Sequence, residues 1–443
     1  MAGLIHHPIF KASFVFIPAW VLMMPKLFSF ETITFFLAVL MMLLYRQKLG
    51  DLVQFKPVLL FASFILAFFV VVPLMPMFFH QPVGYEVISF MDKRALALYT
   101  LLYIVILFWQ LKPDESVLWY GMLLGVLSVF FVVVHELYIL GDFEKIFTQR
   151  FGDYSTPNVV RYGIYSNFYT LILLGAFLWS LRKGAVHTVV VIAAIILAFA
   201  GSLVSDTRTA WAGLPEAIVV WTIFYILYVN RKSQINMKRL LAYSFLFLSL
   251  LFATLYYFGD RVEKRWNAMT GDLSNYTSGK GNVGSIGARL VLFEAGIKGL
   301  FENPLTGVGE QNYLAEQKRL TNEIIRDIYG QDKSLAFTHM HNEYIHEAFT
   351  RGLPGLIGLI LTLFGLLFLF LRKVKQNKTH DIWSPWPILG AVFIVSASVT
   401  LLAEAWLYWR TGISYFFFFI SLFWLASQYL DKTSQKSVTT HHG

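Results

Sequence analysis

The chain has 443 residues, of which 57% are hydrophobic and 17% aromatic while only 14% are charged, and its mean hydropathy is +0.59. A water-soluble globular protein carries about 25% charged residues, so a soluble enzyme is excluded and a polytopic membrane protein is expected. The net charge of +9 sits in short segments between apolar runs, where it reads as a topology signal and not as a nucleic-acid footprint. Cysteine is absent, which removes disulfides and Cys-ligated metals and suits exposure to an oxidising compartment.

The first residues hold no basic n-region leading to a small-residue cleavage site, so the first helix is expected to stay in the protein. Apolar runs of about 20 residues suit helices crossing a hydrocarbon core about 30 Å thick, whereas a membrane barrel would alternate. They fall at 11–28, 31–45, 57–79, 95–110, 117–139, 162–181, 185–203, 209–229, 240–258, 353–371, 386–409 and 412–430, twelve spans in all. The second is short enough to form a tilted or re-entrant hairpin with the first. With the N-terminus in the cytoplasm, Arg46, Lys48, Lys56, Lys112, Arg182, Lys183, the basic residues at 231–239 and 372–378, Lys432 and Lys436 lie inside. The short loops on the opposite side hold only Lys26, Lys93, Arg94, Lys145, Arg150, Arg161, Arg208 and Arg410, so the bias in the short loops puts both termini in the cytoplasm.

The chain then divides into nine membrane helices over 1–258, a large periplasmic loop over 259–346, three more helices over 347–430 and a cytoplasmic tail over 431–443. The loop carries ten basic and eleven acidic residues, so it is nearly neutral and water-facing. Its start, with Gly271, Ser274, Asn275, Ser278, Gly279, Gly281, Asn282 and Gly284, reads as a mobile loop. After Gly287, the spacing of Leu290, Phe293, Ile297 and Leu300 predicts an amphipathic helix ended by Asn303, Pro304 and Gly307. A second helix is predicted from Glu310 to Ile328, with Tyr313, Leu320, Ile324 and Ile328 as its apolar stripe. A loop this long usually carries function. No internal repeat is visible, so an inverted-repeat transporter has no support.

A charge within the bilayer costs at least about 2.5 to 3.5 kcal/mol and asks for a reason. His135, Glu136, Arg208, Glu216 and Glu404 all fall in the outer halves of their spans. Snorkelling at a helix end accounts for His135, Glu136 and Glu404 as readily as function does. Arg208 differs, because Asp206 or Thr207 can cap the helix it opens. A guanidinium then joins the N–H groups of a first turn, a combination that attracts anions. The loop's end, Phe337-Thr338-His339-Met340-His341-Asn342-Glu343-Tyr344-Ile345-His346-Glu347, gathers three histidines at a water–membrane boundary. A zinc helix places its two histidines four residues apart, whereas His341 and His346 are five apart; no metal is therefore expected. At least one of these imidazoles suits a general base, since imidazole titrates near neutral pH. No phosphate-binding glycine loop, dinucleotide fingerprint or Asp-x-Asp pair is present, so no nucleotide, cofactor or divalent cation is implied.

The sequence resembles the O-antigen ligase and polymerase family of bacterial inner-membrane proteins. The similarity is carried by Asp206-Thr207-Arg208-Thr209-Ala210-Trp211, by Ala288-Arg289-Leu290 leading to Asn303-Pro304-Leu305-Thr306-Gly307-Val308-Gly309, and by His341-Asn342 followed by Gly352-Leu353-Pro354-Gly355. Ala212 stands where the family's Arg-x-x-x-Leu element, counted from Arg208, has leucine. The resemblance implies an all-α glycosyltransferase of the GT-C kind in the inner membrane of a Gram-negative bacterium. It would move a glycan from undecaprenyl pyrophosphate to a sugar hydroxyl of the lipid A core at the periplasmic face. Such a transfer requires a cationic clamp for the leaving pyrophosphate, for which Arg208 and Arg289 are the candidates, helped by Arg161 or Arg265. The base would be His341, with His339 the second choice. Asn342 and Glu343 are the candidates for holding substrate. Single displacement inverts the anomeric centre. A polymerase using a second lipid-linked glycan as acceptor is the alternative within the family, and a transporter or flippase the alternative outside it.

Overall fold

The computed structural model describes residues 6–24, 29–48, 56–79, 83–142, 150–152, 158–224, 266–279, 283–379 and 384–439, with a few isolated positions between 144 and 264. Among these residues the regular structure is helical. Eight helical stretches are long and apolar enough to cross a membrane, and Pro8–Met23 and Phe30–Tyr45 are shorter apolar helices. The ninth expected span, 240–258, and the end of the eighth lie outside the described residues. Arg265 does too.

In chain order, α1 is Pro8–Met23 and α2 is Phe30–Tyr45, whose first turn is capped by the Ser29 hydroxyl. Helix α3, Lys56–Phe64, runs on through a π-helical stretch, Ile65–Val71, to a 3-10 end at Met75–Phe79. Helix α4 is Val83–Leu111. Asp114 caps α5, Glu115–Gly125, by accepting from the Val117 N–H at 2.8 Å, and α6, Leu127–Leu140, stops at Gly141 in the left-handed region. Helix α7 is Val159–Lys183, α8 is Ala185–Val204, and α9 is Arg208–Phe224. Further along the chain come α10, Ser285–Glu302, and α11, Tyr313–Tyr329. The chain closes with α12, Glu343–Thr379, α13, Trp386–Ala403, and α14, Arg410–Thr439.

Helices α7, α13 and α14 make the middle of the bundle, with Tyr165 and Tyr415 stacked at 4.0 Å between ring centres. Small residues let α7, α9 and α13 approach closely. A Cβ on Gly163 would overlap the Ser205 hydroxyl, and one on Gly213 would stand 2.8 Å from the Ser396 carbonyl oxygen. Gly163 thereby seats the turn at 205–207, from which Arg208 projects. A buried ionic chain, Arg94 to Glu347 to Arg351 to Glu310, ties α4 to the outer end of α12.

The outer helices have a core of their own, in which Val291, Leu292, Leu320, Ile325, Met340 and Phe349 are buried together. Helices α10 and α11 lie within two or three residues of the ranges the apolar spacing predicts. Two expectations change. Residues 266–278 are helical where a mobile loop was expected. The Asp272 carboxylate accepts from the Ile286 N–H at 3.1 Å and so ties this segment to the first turn of α10, while the Ser278 hydroxyl is satisfied within the helix by the Ser274 carbonyl at 2.8 Å. The expected span 386–409 ends as a helix at Ala403, and Glu404 is extended. The chain leaves the helix there because the Trp406 ring N–H takes the Thr400 hydroxyl at 3.2 Å and the Tyr408 N–H takes the Glu343 carboxylate at 3.1 Å.

Helix α12 breaks at Gly352, whose φ of 64° and ψ of −157° are not helical. The segment 303–309 clasps this break. Val308 N–H donates to the Phe349 carbonyl at 2.9 Å, Gly309 N–H to that of Thr350 at 3.1 Å, and Leu353 N–H to that of Pro304 at 2.7 Å. Glycine is required twice. A Cβ on Gly352 would stand 2.6 Å from the Pro304 carbonyl oxygen, one on Gly307 would overlap the Arg351 nitrogen, and both residues have positive φ. The Asn-Pro-Leu-Thr-Gly-Val-Gly and Gly-Leu-Pro-Gly motifs are thus two halves of one joint.

Candidate active site

A cavity of about 460 Å³ opens where the turn before α9, the first turns of α10 and the segment leading into α12 meet. Arg150, Arg208 and Arg289 line it together with Asp206, Thr207, Thr209, Phe337 and His341. The two arginines chosen from sequence therefore share one wall with the chosen base. Arg289 extends from α10 toward the Thr209 hydroxyl, 3.5 Å away, and stands 3.8 Å from Glu404. Arg150, which sequence reasoning used only to fix topology, lies here because its strap is pinned. Phe151 N–H donates to the Val204 carbonyl at 3.1 Å, and Gly152 N–H to the buried Glu136 carboxylate at 2.8 Å.

Glu404, which does not itself line the cavity, organises the imidazoles. Its carboxylate lies 2.9 Å from His341 Nδ1 and 3.2 Å from His339 Nε2, one oxygen to each ring. The His341 backbone N–H also reaches His339 Nδ1, at 3.2 Å. That contact assigns the protons. His339 Nδ1 accepts, so its proton sits on Nε2 and points at Glu404. His341 donates through Nδ1, which leaves the Nε2 lone pair on a ring that lines the cavity. Burial, the largest effect, drives the His339 pKa down to about 4; the nearby Glu404 carboxylate opposes this, while His341, Arg161 and Arg289 add to it. Burial also pushes Glu404 upward, but the hydrogen bond from His341, the adjoining His339 ring and the Arg289 guanidinium outweigh it and hold the carboxyl below its ordinary value.

His341 and Asp206 both have positive φ, 51° and 52°, and both line the cavity. Such strain is of order 1–3 kcal/mol per residue and tends to gather where a side chain must be aimed. The Phe337 ring meets His341 edge to face at 5.2 Å.

The remaining sequence candidates lie elsewhere. Arg161 packs over the Trp409 ring at 4.4 Å and reaches the Thr411 hydroxyl at 3.3 Å, behind His339 and not on the cavity wall. Asn342 accepts from the Ile345 N–H at 3.0 Å and so caps α12. Glu343 is buried and holds the Tyr408 N–H. His346 is also buried, between Tyr313 and Tyr408. Glu216, the acidic residue a transporter reading would use, is exposed on α9.

His339, His341 and Glu404 bring three potential metal-ligand atoms within 4.8 Å of one another. The donor set does not fit a cation well. Both carboxylate oxygens face imidazole N–H groups, His339 Nδ1 is taken by a backbone N–H, and the Arg289 charge stands beside the same carboxylate.

Residues 193–360 match the family model described as O-Antigen ligase, a stretch that contains Arg208, Arg289, His339 and His341 together with both halves of the joint at Gly352. The resemblance carried by those motifs is therefore to a recognised family. Among curated proteins, an uncharacterized protein of Haemophilus influenzae is 28% identical over 225 residues, which are 51% of this chain and 53% of that protein. The O-antigen ligase of Escherichia coli K12 is 27% identical over 130 residues, 29% of this chain and 30% of that one. The chain thus aligns with about half the length of the first of these relatives and less of the second. Arg150, Arg161 and Glu404 lie outside the family-matched stretch and enter through geometry alone.

Proposed function

We propose that the protein is an inner-membrane O-antigen ligase of the GT-C kind. In this reading it transfers a glycan from undecaprenyl pyrophosphate to a sugar hydroxyl of lipid A-core, with its cavity facing the periplasm. One observation carries the reading: a single cavity joins three guanidiniums, a set suited to a pyrophosphate, to an imidazole whose outward nitrogen is a free acceptor. The acceptor hydroxyl gives its proton to His341 Nε2 as its oxygen bonds the anomeric carbon from the face opposite the leaving group. The bond from that carbon to the pyrophosphate oxygen breaks, and the electron pair stays on the pyrophosphate, where Arg208, Arg289 and Arg150 balance the growing charge. The anomeric centre is inverted. His341 then returns its proton to water. Glu404 fixes the His341 tautomer and faces the imidazolium formed during transfer, and His339 steadies Glu404 from the other side.

The reading is tested by a lipopolysaccharide gel of a deletion strain. Loss of the core-linked ladder with lipid-linked polymer retained is the expected result. Single-repeat ladders would make the protein a polymerase, and accumulation of donor on the cytoplasmic side would make it a flippase. The purified protein should also transfer in excess EDTA; activity restored only by a particular cation would replace the arginine clamp by a metal at His339, His341 and Glu404.

A further inference from the structure

Helix α12 shows a lipid-facing stripe below its break. Leu353, Ile357, Leu361, Phe364, Phe368 and Leu371 are all exposed and recur at helical spacing, which is the face a membrane span turns to acyl chains. The stripe does not stop where the span does. Through the hydrogen bond from Leu353 N–H to the Pro304 carbonyl, Leu305 sits next to its upper end, and Leu305 is 69% exposed. Phe301, one turn earlier on α10, is 79% exposed, and Ile297, a further turn back, is 45% exposed. An isolated apolar side chain on a water-facing helix needs no explanation, but an exposed run continuous with a membrane face does.

We propose that the C-terminal turns of α10 and the following Leu305 are seated in the interfacial layer of the bilayer, in the leaflet on the cavity's side, with Phe301 and Leu305 inserted among the lipids. The opposite face of α10, with Val291, Leu292 and Ala295, is buried against the outer core, so the helix has an amphipathic division with a partner for each side. The seat fixes the height of Arg289, which lies twelve residues, or about 18 Å of helix, before Phe301. A helix held at the surface presents that guanidinium near the depth at which a membrane lipid carries its phosphates. This consequence for Arg289 rests on its reading as a donor clamp; the seat itself does not.

The chain contains no cysteine, so single labels can be placed without altering the background. Phe301→Cys and Leu305→Cys would carry an environment-sensitive nitrobenzoxadiazole dye in vesicles of phosphatidylethanolamine and phosphatidylglycerol doped with nitroxide lipids. Lys318→Cys on α11 serves as the water-facing control and Phe364→Cys as the chain-embedded one. Blue-shifted emission at 301 and 305, quenched more by a shallow nitroxide than by a deep one, is expected, while the label at 318 stays unquenched. Emission and quenching at 301 and 305 equal to those at 318 would overturn the seat. In a transfer assay, Phe301→Ser should raise the KM for membrane-borne donor severalfold with kcat retained. Unchanged KM together with shallow quenching would keep the seat and remove its link to Arg289.

Discussion

Replacing Glu404 by glutamine keeps the shape of the side chain and removes only its charge and one acceptor. In the protein both imidazoles donate to this carboxylate, His341 through Nδ1 at 2.9 Å and His339 through Nε2 at 3.2 Å. An amide offers one acceptor and one NH₂ group, so it can satisfy only one of the two donors. His339 cannot change its tautomer without losing the contact from the His341 backbone N–H. The amide oxygen must therefore serve His339, and the NH₂ group is left facing His341 Nδ1, which becomes the acceptor. The proton moves to Nε2, and the ring presents a donor to the cavity where the proposed transfer needs a base. The loss of a positioned base is worth about 10² to 10⁴ in rate, and a wrong tautomer in a serine-protease triad lowers kcat by about 10⁴. Glu404→Gln should accordingly lower kcat by about 10² to 10⁴ with little change in donor affinity. The measurement is single-turnover transfer by the purified protein in lipid nanodiscs, with a thermal melt to show that the variant is folded. Glu404→Asp retains the charge and should keep more activity than glutamine does. A folded Glu404→Gln protein working near the wild-type rate, or one more active than Glu404→Asp, would refute the tautomer argument.

Lysine at Arg208 or Arg289 keeps a positive charge but loses the two-pronged fork, so each single variant should lose about 10² to 10³ in kcat while still inserting; a wild-type rate in either would make that arginine an anchor. Gly352→Ala places a methyl against the Pro304 carbonyl oxygen at a φ of 64°, and it should destabilise the protein by about 1–3 kcal/mol or more, read as a lower melting temperature in detergent. His339 titrates near pH 6.5 when unfolded and at about 4 when folded, so the unfolded chain binds more protons between these values. Its contribution is fully present above pH 6.5 and is lost as the pH falls to about 4, a decline on the order of 3 kcal/mol that thermal melts across this range should show and His339→Asn should flatten.

Eight membrane-length helices among the described residues were legible because a bilayer imposes a length and an apolar composition, as at Trp386 and Arg410. The outer helices were legible for a different reason, the recurrence of Leu290, Phe293 and Ile297 or of Leu320, Ile324 and Ile328 along one face. Residues that depend on a partner distant in sequence were not. Glu404 was visible as a carboxylate at the end of a span, but nothing in its neighbourhood announces two imidazoles more than sixty positions earlier. Arg150 sits in a short loop whose only local signal is charge, and it reaches the cavity through the contacts of Phe151 with Val204 and of Gly152 with Glu136. Asn342, drawn in by its neighbour His341, proved to serve the first turn of α12, the commonest task for asparagine at that position.

The joint at Gly352 bears on how such proteins can be recombined. The outer helices, bounded by membrane spans and built on their own core, invite exchange as a cassette cut at the membrane boundary. Such a cut separates Pro304, Gly307, Val308 and Gly309 from the turn at 349–353 that they embrace through three backbone hydrogen bonds. Hybrids that take residues 303–309 and 349–355 from the same parent should assemble. Those that draw them from different parents put two mismatched backbones into a space that, at Gly307 and Gly352, has no room for a single methyl group.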